Sequence, residues 1–147
     1  MTTYATVTGS AAYNRAKYKP HDKRAVRIVR NSHNANATSA ANAVQINMFT
    51  IPADSILLGV WTEVTVASGN NDVLIDVGVA GGAEYADDVN SNQANGTVNA
   101  NESLDNVRYC NAATIITCAP DNGNAWAAGT LTITAAYIET DSFGAAG

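Results

Sequence analysis

Strict alternation of apolar and polar residues is the clearest pattern in the chain. Residues 56–66 place Ile, Leu, Val or Thr at every second position, and residues 73–79 repeat the pattern. A two-residue period is typical of strands that bury one face. Because the turn at residues 67–72 is rich in Gly, Asn and Asp, the two segments are predicted to form a hairpin over residues 56–79.

Weaker alternation predicts further strands at residues 25–30, 44–51, 107–109, 114–118 and 129–138. Between them, the polar run NSHNANATSAANA at residues 31–43 is predicted to be a linker, and residues 80–106 a long loop. No helical pattern of comparable strength competes with these strands. The sequence therefore predicts an all-β fold, an antiparallel β-sandwich of jelly-roll type with an extended basic N-terminal arm.

The chain length favours a single domain. At 147 residues, one hydrophobic core is large enough to be stable without a second domain. We divide the sequence into a basic arm or irregular first strand at residues 1–24, one sandwich domain at residues 25–142, and a frayed tail at residues 143–147. Since no apolar run is long enough to span a bilayer, and the first residues lack the apolar centre of a signal peptide, no membrane association is predicted.

Charge is distributed unevenly along the chain. Seven of the eight basic residues lie between positions 15 and 30, and only Asp22 of the thirteen acidic residues precedes position 54. A basic stretch that contains tyrosines can bind nucleic acid, but the acidic remainder would repel it. The same remainder would attract the basic stretch of a neighbouring copy, so we predict a protein interface rather than a nucleic-acid site. Its basic residues are Arg15, Lys17, Lys19, Lys23, Arg24, Arg27 and Arg30. A solvated strand edge protected by charge is the alternative interpretation.

Trp61 is the aromatic residue that the pattern singles out. It lies on the face of its strand opposite the apolar residues, so we predict a half-exposed side chain that anchors a protein interface. The alternative is a carbohydrate-binding module, in which aromatic side chains stack on sugar rings. Its candidates would be Trp61, Trp126, Tyr85, Tyr109 and Tyr137.

The few cysteines and histidines provide no recognisable chemistry. Cys110 and Cys118 match no zinc or redox motif and are predicted to be buried free thiols. His21 and His33 stand among basic or Asn-rich neighbours, which does not favour zinc. Nucleophile-elbow, metalloprotease and phosphate-loop motifs are also missing from the sequence. We therefore predict no cofactor and no catalytic residue.

The carboxylate side chains allow two further hypotheses, a calcium site and a catalytic pair. Glu84, Asp87 and Asp88 place hard oxygen donors in one loop, as calcium requires, although the EF-hand pattern is missing and an ordinary acidic loop is the alternative. A glycosidase-like acid and base pair is the second hypothesis. Because most of the candidates fall in predicted turns, where Asp is expected for backbone reasons, we predict that the protein is not an enzyme. The candidates are Asp54, Glu63, Asp72, Asp76, Glu84, Asp87 and Asp88.

The order of segments over residues 44–138 resembles a class of known proteins. The run IPADSILLGVWTEVTVA, followed by VLIDVG, AEYADDVN and TLTITAAYIET, is similar to small structural proteins of tailed-bacteriophage virions. The resemblance implies a capsid cement or decoration protein, with a tail or fibre module that binds a receptor or carbohydrate as the alternative. It also implies assembly into a homotrimer, contact with the major capsid protein, and a place on the capsid surface after synthesis in the host cytoplasm.

Overall fold

A computed structural model describes residues 25–69, 72–100 and 107–140 of the chain, and these residues form nine β-strands. Their bounds are β1 (Arg27–Asn34), β2 (Ile46–Ile51), β3 (Ser55–Val66), β4 (Leu74–Val79), β5 (Ala86–Asn90), β6 (Thr97–Ala100), β7 (Arg108–Cys110), β8 (Thr114–Pro120) and β9 (Thr130–Glu139). Within these ranges, no helix is long and apolar enough to cross a membrane.

The strands form two antiparallel sheets. The first sheet has the order β1-β9-β3-β6, with the short β7 also paired to β3, and the second has the order β2-β8-β4-β5. Chain neighbours such as β1 and β2 therefore lie in different sheets, which is the arrangement of a jelly roll. The predicted all-β antiparallel sandwich is confirmed.

The core lies between the inner faces of the two sheets. In β9, Leu131, Ile133 and Ala135 point inward and are buried, as their alternation predicts. In β4, Ile75 and Val77 do the same from the opposite sheet. Burying a side chain of this size stabilises the fold by roughly 1.5–3 kcal/mol, so these alternating positions account for much of the stability.

The hairpin predicted over residues 56–79 is wrong. β3 pairs with β9 in the first sheet, whereas β4 pairs with β8 and β5 in the second. The connection between them crosses from one sheet to the other, and the Ser68 amide donates to the Ser91 carbonyl on the way. Alternation requires only that each strand bury one face, and crossing to the other sheet satisfies that requirement as well as a turn would.

Two segments predicted as loops contain strands. β5 and β6 lie within residues 80–106, and β1 continues into the predicted linker as far as Asn34. The polar end of β1 forms a strand because it pairs with β9, with Ser32 opposite Thr132. Asn31 also donates a side-chain hydrogen bond to the Met48 carbonyl of β2. Backbone pairing and these side-chain bonds replace the apolar contacts that the sequence lacks here.

A bulge also changes the predicted inner face of β3. Leu57 is fully buried, whereas Ile56 and Leu58 are only half-buried. The register with β9 shifts between Leu57 and Gly59, so the inward positions change from odd to even at that point. From Val60 onward the predicted even-numbered positions face the core through Val64.

Candidate protein-interaction surface

The outer face of the first sheet carries several exposed large apolar side chains. We call five of these residues the apolar face; their exposed fractions are Val26 56%, Ile28 73%, Trp61 40%, Val98 58% and Tyr109 55%. Isolated exposed apolar residues are ordinary, but a group on one sheet face is typical of an interaction site.

Strand register places the apolar face on adjacent rows. Ile28 lies opposite Ala136 of β9, and Ala136 lies opposite Gly59 of β3. In the next row, Thr134 lies between Arg30 on β1 and Trp61 on β3. On β9, between β1 and β3, these rows contain only the small side chains of Ala136 and Thr134, so no large side chain separates Ile28 from Trp61.

Trp61 lies over Gly59 on this face. A Cβ added at Gly59 would lie 3.1 Å from Cζ2 of the indole and 3.2 Å from Cη2, so the ring covers the glycine closely. The absence of a side chain at Gly59 therefore lets the indole lie against the sheet instead of projecting into solvent. The predicted half-exposed Trp61 is confirmed, and its role as an interface anchor stays a prediction.

Among the described residues, two ion pairs involve the first sheet. The Arg30 guanidinium lies 3.3 Å from the Glu63 carboxylate across β9, and the Arg27 guanidinium lies 3.0 Å from Glu139. Both pairs are partly exposed to solvent, where such pairs contribute about 0–1 kcal/mol each. The pair of Arg30 with Glu63 gives the apolar face one charge of each sign beside Trp61.

Tyr109 closes one end of the apolar face. Its hydroxyl donates a 2.7 Å hydrogen bond to the Asp54 carboxylate. This bond, which requires the protonated phenol, is the main reason that the pKa of Tyr109 is raised. The bond holds the aromatic ring at the edge of the face.

The aromatic set proposed for sugar binding is not brought together. Trp126 and Tyr85 are buried in the core, and burial raises the pKa of the Tyr85 phenol. The Trp126 ring instead packs against the ring of His33, with centroids 4.8 Å apart and planes tilted by 48°. Of the five candidates, Trp61 and Tyr109 are exposed on the first sheet, and Tyr137 packs against the core.

The predicted calcium ligands are only partly brought together. Asp87 and Asp88 lie within 4.8 Å of Asp76, which replaces Glu84 in the group. Glu84 accepts a hydrogen bond from the Val79 amide instead. Sequence spacing missed Asp76 because it comes from β4, which the sheet places beside β5. In the sequence, Asp76 stood out only as one of the acid and base candidates, between the apolar residues Ile75 and Val77.

Burial raises the pKa of Asp76, and the carboxylates of Asp121, Asp87 and Asp88 raise it further. The Asp88 amide opposes this shift by donating a hydrogen bond to Asp76 Oδ1. Asp88 adopts a φ of 55°, a left-handed conformation that Asp tolerates better than most residues. These carboxylates form an acidic patch on the second sheet, and within it the Asp88 amide donates a hydrogen bond to Asp76.

A groove of about 330 Å³ lies on the outer face of the second sheet. Its lining residues are Gln45, Asn47, Val79, Ala80, Ala113, Thr114, Ile115 and Thr117. The lining contains no aromatic side chain on which a sugar ring could stack. The groove therefore does not support the carbohydrate hypothesis.

Both cysteines are buried and unbonded, as predicted. Burial raises the pKa of the Cys118 thiol to about 12, so it stays protonated at physiological pH. A buried, protonated thiol is a poor nucleophile and a poor metal ligand.

Most of the predicted basic interface lies outside the described residues. Only Arg27 and Arg30 are described, and both form the ion pairs given above. Five further basic residues of that interface fall in residues 1–24, and their contacts stay predictions: Arg15, Lys17, Lys19, Lys23 and Arg24. Sequence reasoning missed Ile28 and Val98 as surface residues, because it could not tell which face of their strands would be covered, and it named Tyr109 only as a sugar-stacking candidate.

The chain is similar in structure to chains of two phage capsids. A chain of the capsid asymmetric unit of cyanophage Pam1 matches 78% of this chain and 85% of its own length, with a TM-score of 0.59 and 17% identity. A chain of the capsid of Ralstonia phage GP4 matches 79% and 85%, respectively, with a TM-score of 0.60 and 15% identity. No protein-family model and no curated protein matches the sequence. At these identities the similarity shows a shared fold.

Proposed function

We propose that this chain is a structural protein of a bacteriophage capsid and that it acts through protein contacts rather than catalysis. The observation that carries the proposal is an exposed apolar face on a jelly roll whose fold is shared with chains of two phage capsids. A fold alone supports many functions. A face that contains Trp61 and is exposed within the described part of the chain adds a specific reason to expect assembly.

Within this role, we propose a cement or decoration protein on the capsid surface that contacts the major capsid protein. The two sheets share one hydrophobic core, and a basic segment of 24 residues precedes the described part of the chain. Strands β2, β4, β5 and β8 contain Asp76, Asp87 and Asp88 and neither Lys nor Arg. This charge separation supports contact between the basic segment of one copy and the second sheet of the next, closing a homotrimer.

The test is the stoichiometry of the chain on purified particles. Particles from the source lysate are banded on a density gradient, and the 15.2 kDa chain is quantified against the major shell protein. We expect an equimolar or one-third ratio on DNA-filled heads. A few copies per particle would favour a tail or fibre module instead, and absence from particles would contradict a virion role.

A further inference from the structure

We propose that the apolar face of the first sheet packs against the same face of a second copy of this chain, about a two-fold axis. This inference rests on the proposed function, because it names the partner of the surface on which that proposal depends. The residues that carry it are Ile28, Trp61 and the ion pair of Arg30 with Glu63.

Charge complementarity favours a second copy as the occupant. Arg30 and Glu63 both remain partly exposed, with 59% and 33% of their side chains accessible, so each can accept another partner. In a two-fold interface, a residue that contacts a second residue is itself contacted by that residue's equivalent. An axis beside this ion pair therefore places Arg30 of each copy next to Glu63 of the other, and the four charges alternate in sign.

The shape of the face favours the same occupant. Gly59, Thr134 and Ala136 keep its centre flat, and Trp61 lies against the sheet. A flat sheet face is complementary to another flat sheet face, as in the packing of the two sheets of a sandwich. The second sheet of a neighbour is a poorer partner, since its outer carboxylates would face the apolar side chains without a basic residue of their own.

The size of the face predicts a weak contact. Four strands about 4.8 Å apart and six residues at about 3.3 Å each give an area on the order of 300 Å² per copy. Interfaces below about 1,200 Å² in total belong to the weak or transient class. The pair is therefore expected to depend on protein concentration in solution, and to be strengthened where a particle holds copies side by side.

Two charge reversals on the full chain test the contact between copies. In Arg30→Glu, the introduced carboxylate of each copy would face Glu63 of the other copy, and in Glu63→Arg two guanidinium groups would face each other. We expect sedimentation velocity at rising concentration to give each variant half the mass of the wild-type assembly. An equimolar mixture of the two variants should recover the wild-type mass, because each contact between unlike chains then joins opposite charges.

The mixture separates contacts between copies from the ion pair within one chain. Inside each variant, residues 30 and 63 carry like charges whether the variants are mixed or not, so recovery can come only from the contact between copies. Asn124→Glu and Asn124→Arg are the matched controls, because Asn124 is exposed in a loop away from the face. Both controls should keep the wild-type mass, and thermal melts should show that all variants are folded.

The two-fold contact would be overturned if both charge-reversal variants kept the wild-type mass. It would also be overturned if their equimolar mixture did not regain that mass. The stoichiometry of the chain on purified particles tests the capsid role independently of this contact. A wild-type chain that is abundant on particles but whose mass in solution does not double as concentration rises would contradict this contact and leave the capsid role standing. A chain that pairs through this face but is missing from particles would contradict the capsid role alone.

Discussion

At the scale of single residues, Gly129 and Gly123 have similar backbone angles but differ in the space available for a side chain. Both have a positive φ, near 89° and 83°. A Cβ at Gly129 would lie 2.8 Å from the Val66 carbonyl oxygen, whereas a Cβ at Gly123 would meet no atom within 4 Å. Gly129 is therefore required both by conformation and by close approach of β3, and Gly123 by conformation alone.

We expect Gly129→Ala to destabilise the protein more than Gly123→Ala does. The left-handed conformation alone costs an L-residue about 1–2 kcal/mol, which is the expected loss for Gly123→Ala. Displacing the backbone of residues 66–68 should add about 1–3 kcal/mol at Gly129. Urea denaturation of both variants measures the difference. Equal losses would show that the close contact at Gly129 relaxes without cost.

Asp76 gives a pH-dependent prediction. Because its pKa is raised in the folded protein, the folded state binds a proton more readily than the unfolded state, and this group lowers stability as pH rises through its folded pKa. Asp76→Asn keeps the oxygen that accepts from the Asp88 amide and removes the charge. We expect its melting temperature to exceed that of the wild type at pH 7, because burial disfavours the charged carboxylate that the variant lacks.

The advantage of Asp76→Asn should disappear as the pH falls to 3.8, the ordinary pKa of Asp, and below it, because both folded and unfolded wild-type chains then become protonated at this position. Asp121→Asn is the matched control, since Asp121 is exposed and belongs to the same acidic patch. It should raise the melting temperature less. A gain for Asp76→Asn that does not change between pH 7 and the acid range would contradict the assigned cause.

At the scale of strands, a row of hydroxyls joins β1, β9 and β3 on the outer face of the first sheet. Thr132 Oγ1 lies 2.7 Å from Ser32 Oγ and 2.6 Å from Thr65 Oγ1. Thr132 is buried, so these bonds replace contact with water. The row connects the edge strand to the middle of the sheet in addition to the backbone ladder.

We expect Thr132→Val to lower the free energy of unfolding by about 1–3 kcal/mol, because it removes the shared partner of both hydroxyls without changing side-chain volume much. Thr134→Val is the control, since Thr134 lies on the same face of β9 but outside the row. It should change stability by less than about 0.5 kcal/mol. Denaturant titrations compare the two. Similar effects would mean that the hydroxyl row contributes little.

The strands also show how far alternation predicts a fold. It gave β4 and β9 with their correct inner faces, because an unbroken two-residue period specifies which side chains are buried. It failed at the bulge of β3, where one extra residue reverses the period. It also missed β5 and β6, which are short and polar and depend on pairing with β4 and β3.

At the scale of the whole molecule, β1 is the first strand of the described part of the chain. Among these described residues β1 lies at the edge of the first sheet and pairs with β9 along its full length. Ala35, which follows it, is buried and donates a backbone hydrogen bond to Gly129. Residues from Arg27 onward are therefore part of the fold and not of a detachable arm.

Two truncations test this boundary. A chain lacking residues 1–24 should keep a cooperative thermal melt close to that of the full chain and bind its particle less well. A chain lacking residues 1–34 should melt at a lower temperature and aggregate, because it exposes the edge of β9. Light scattering recorded during the thermal melt compares the melting and the aggregation of the two truncated chains. If the longer truncation is as stable and soluble as the shorter one, β1 is not needed for the fold.

The candidate surface was predictable only in part. Trp61 stood out because it is a large aromatic residue on the polar side of a strongly alternating strand. Ile28, Val98 and Tyr109 join it only because β1, β6 and β7 lie in the same sheet as β3. The local sequence around Ile28 and Val98 does not differ from that of residues facing a core, and Tyr109 stood out only as an aromatic residue, so the sequence did not group them on one surface.

The sequence by itself determined that the chain forms strands with one apolar side, and that these strands pack into a sandwich. Side-chain period is a local property, so it can be read without knowledge of neighbours. Tertiary structure decided which strands pair, where the bulges lie, and which outer face keeps exposed apolar side chains. Backbone donors and acceptors are the same in every strand, so only the packing of the whole chain selects the partners that bring Trp61, Ile28 and Arg30 onto one surface.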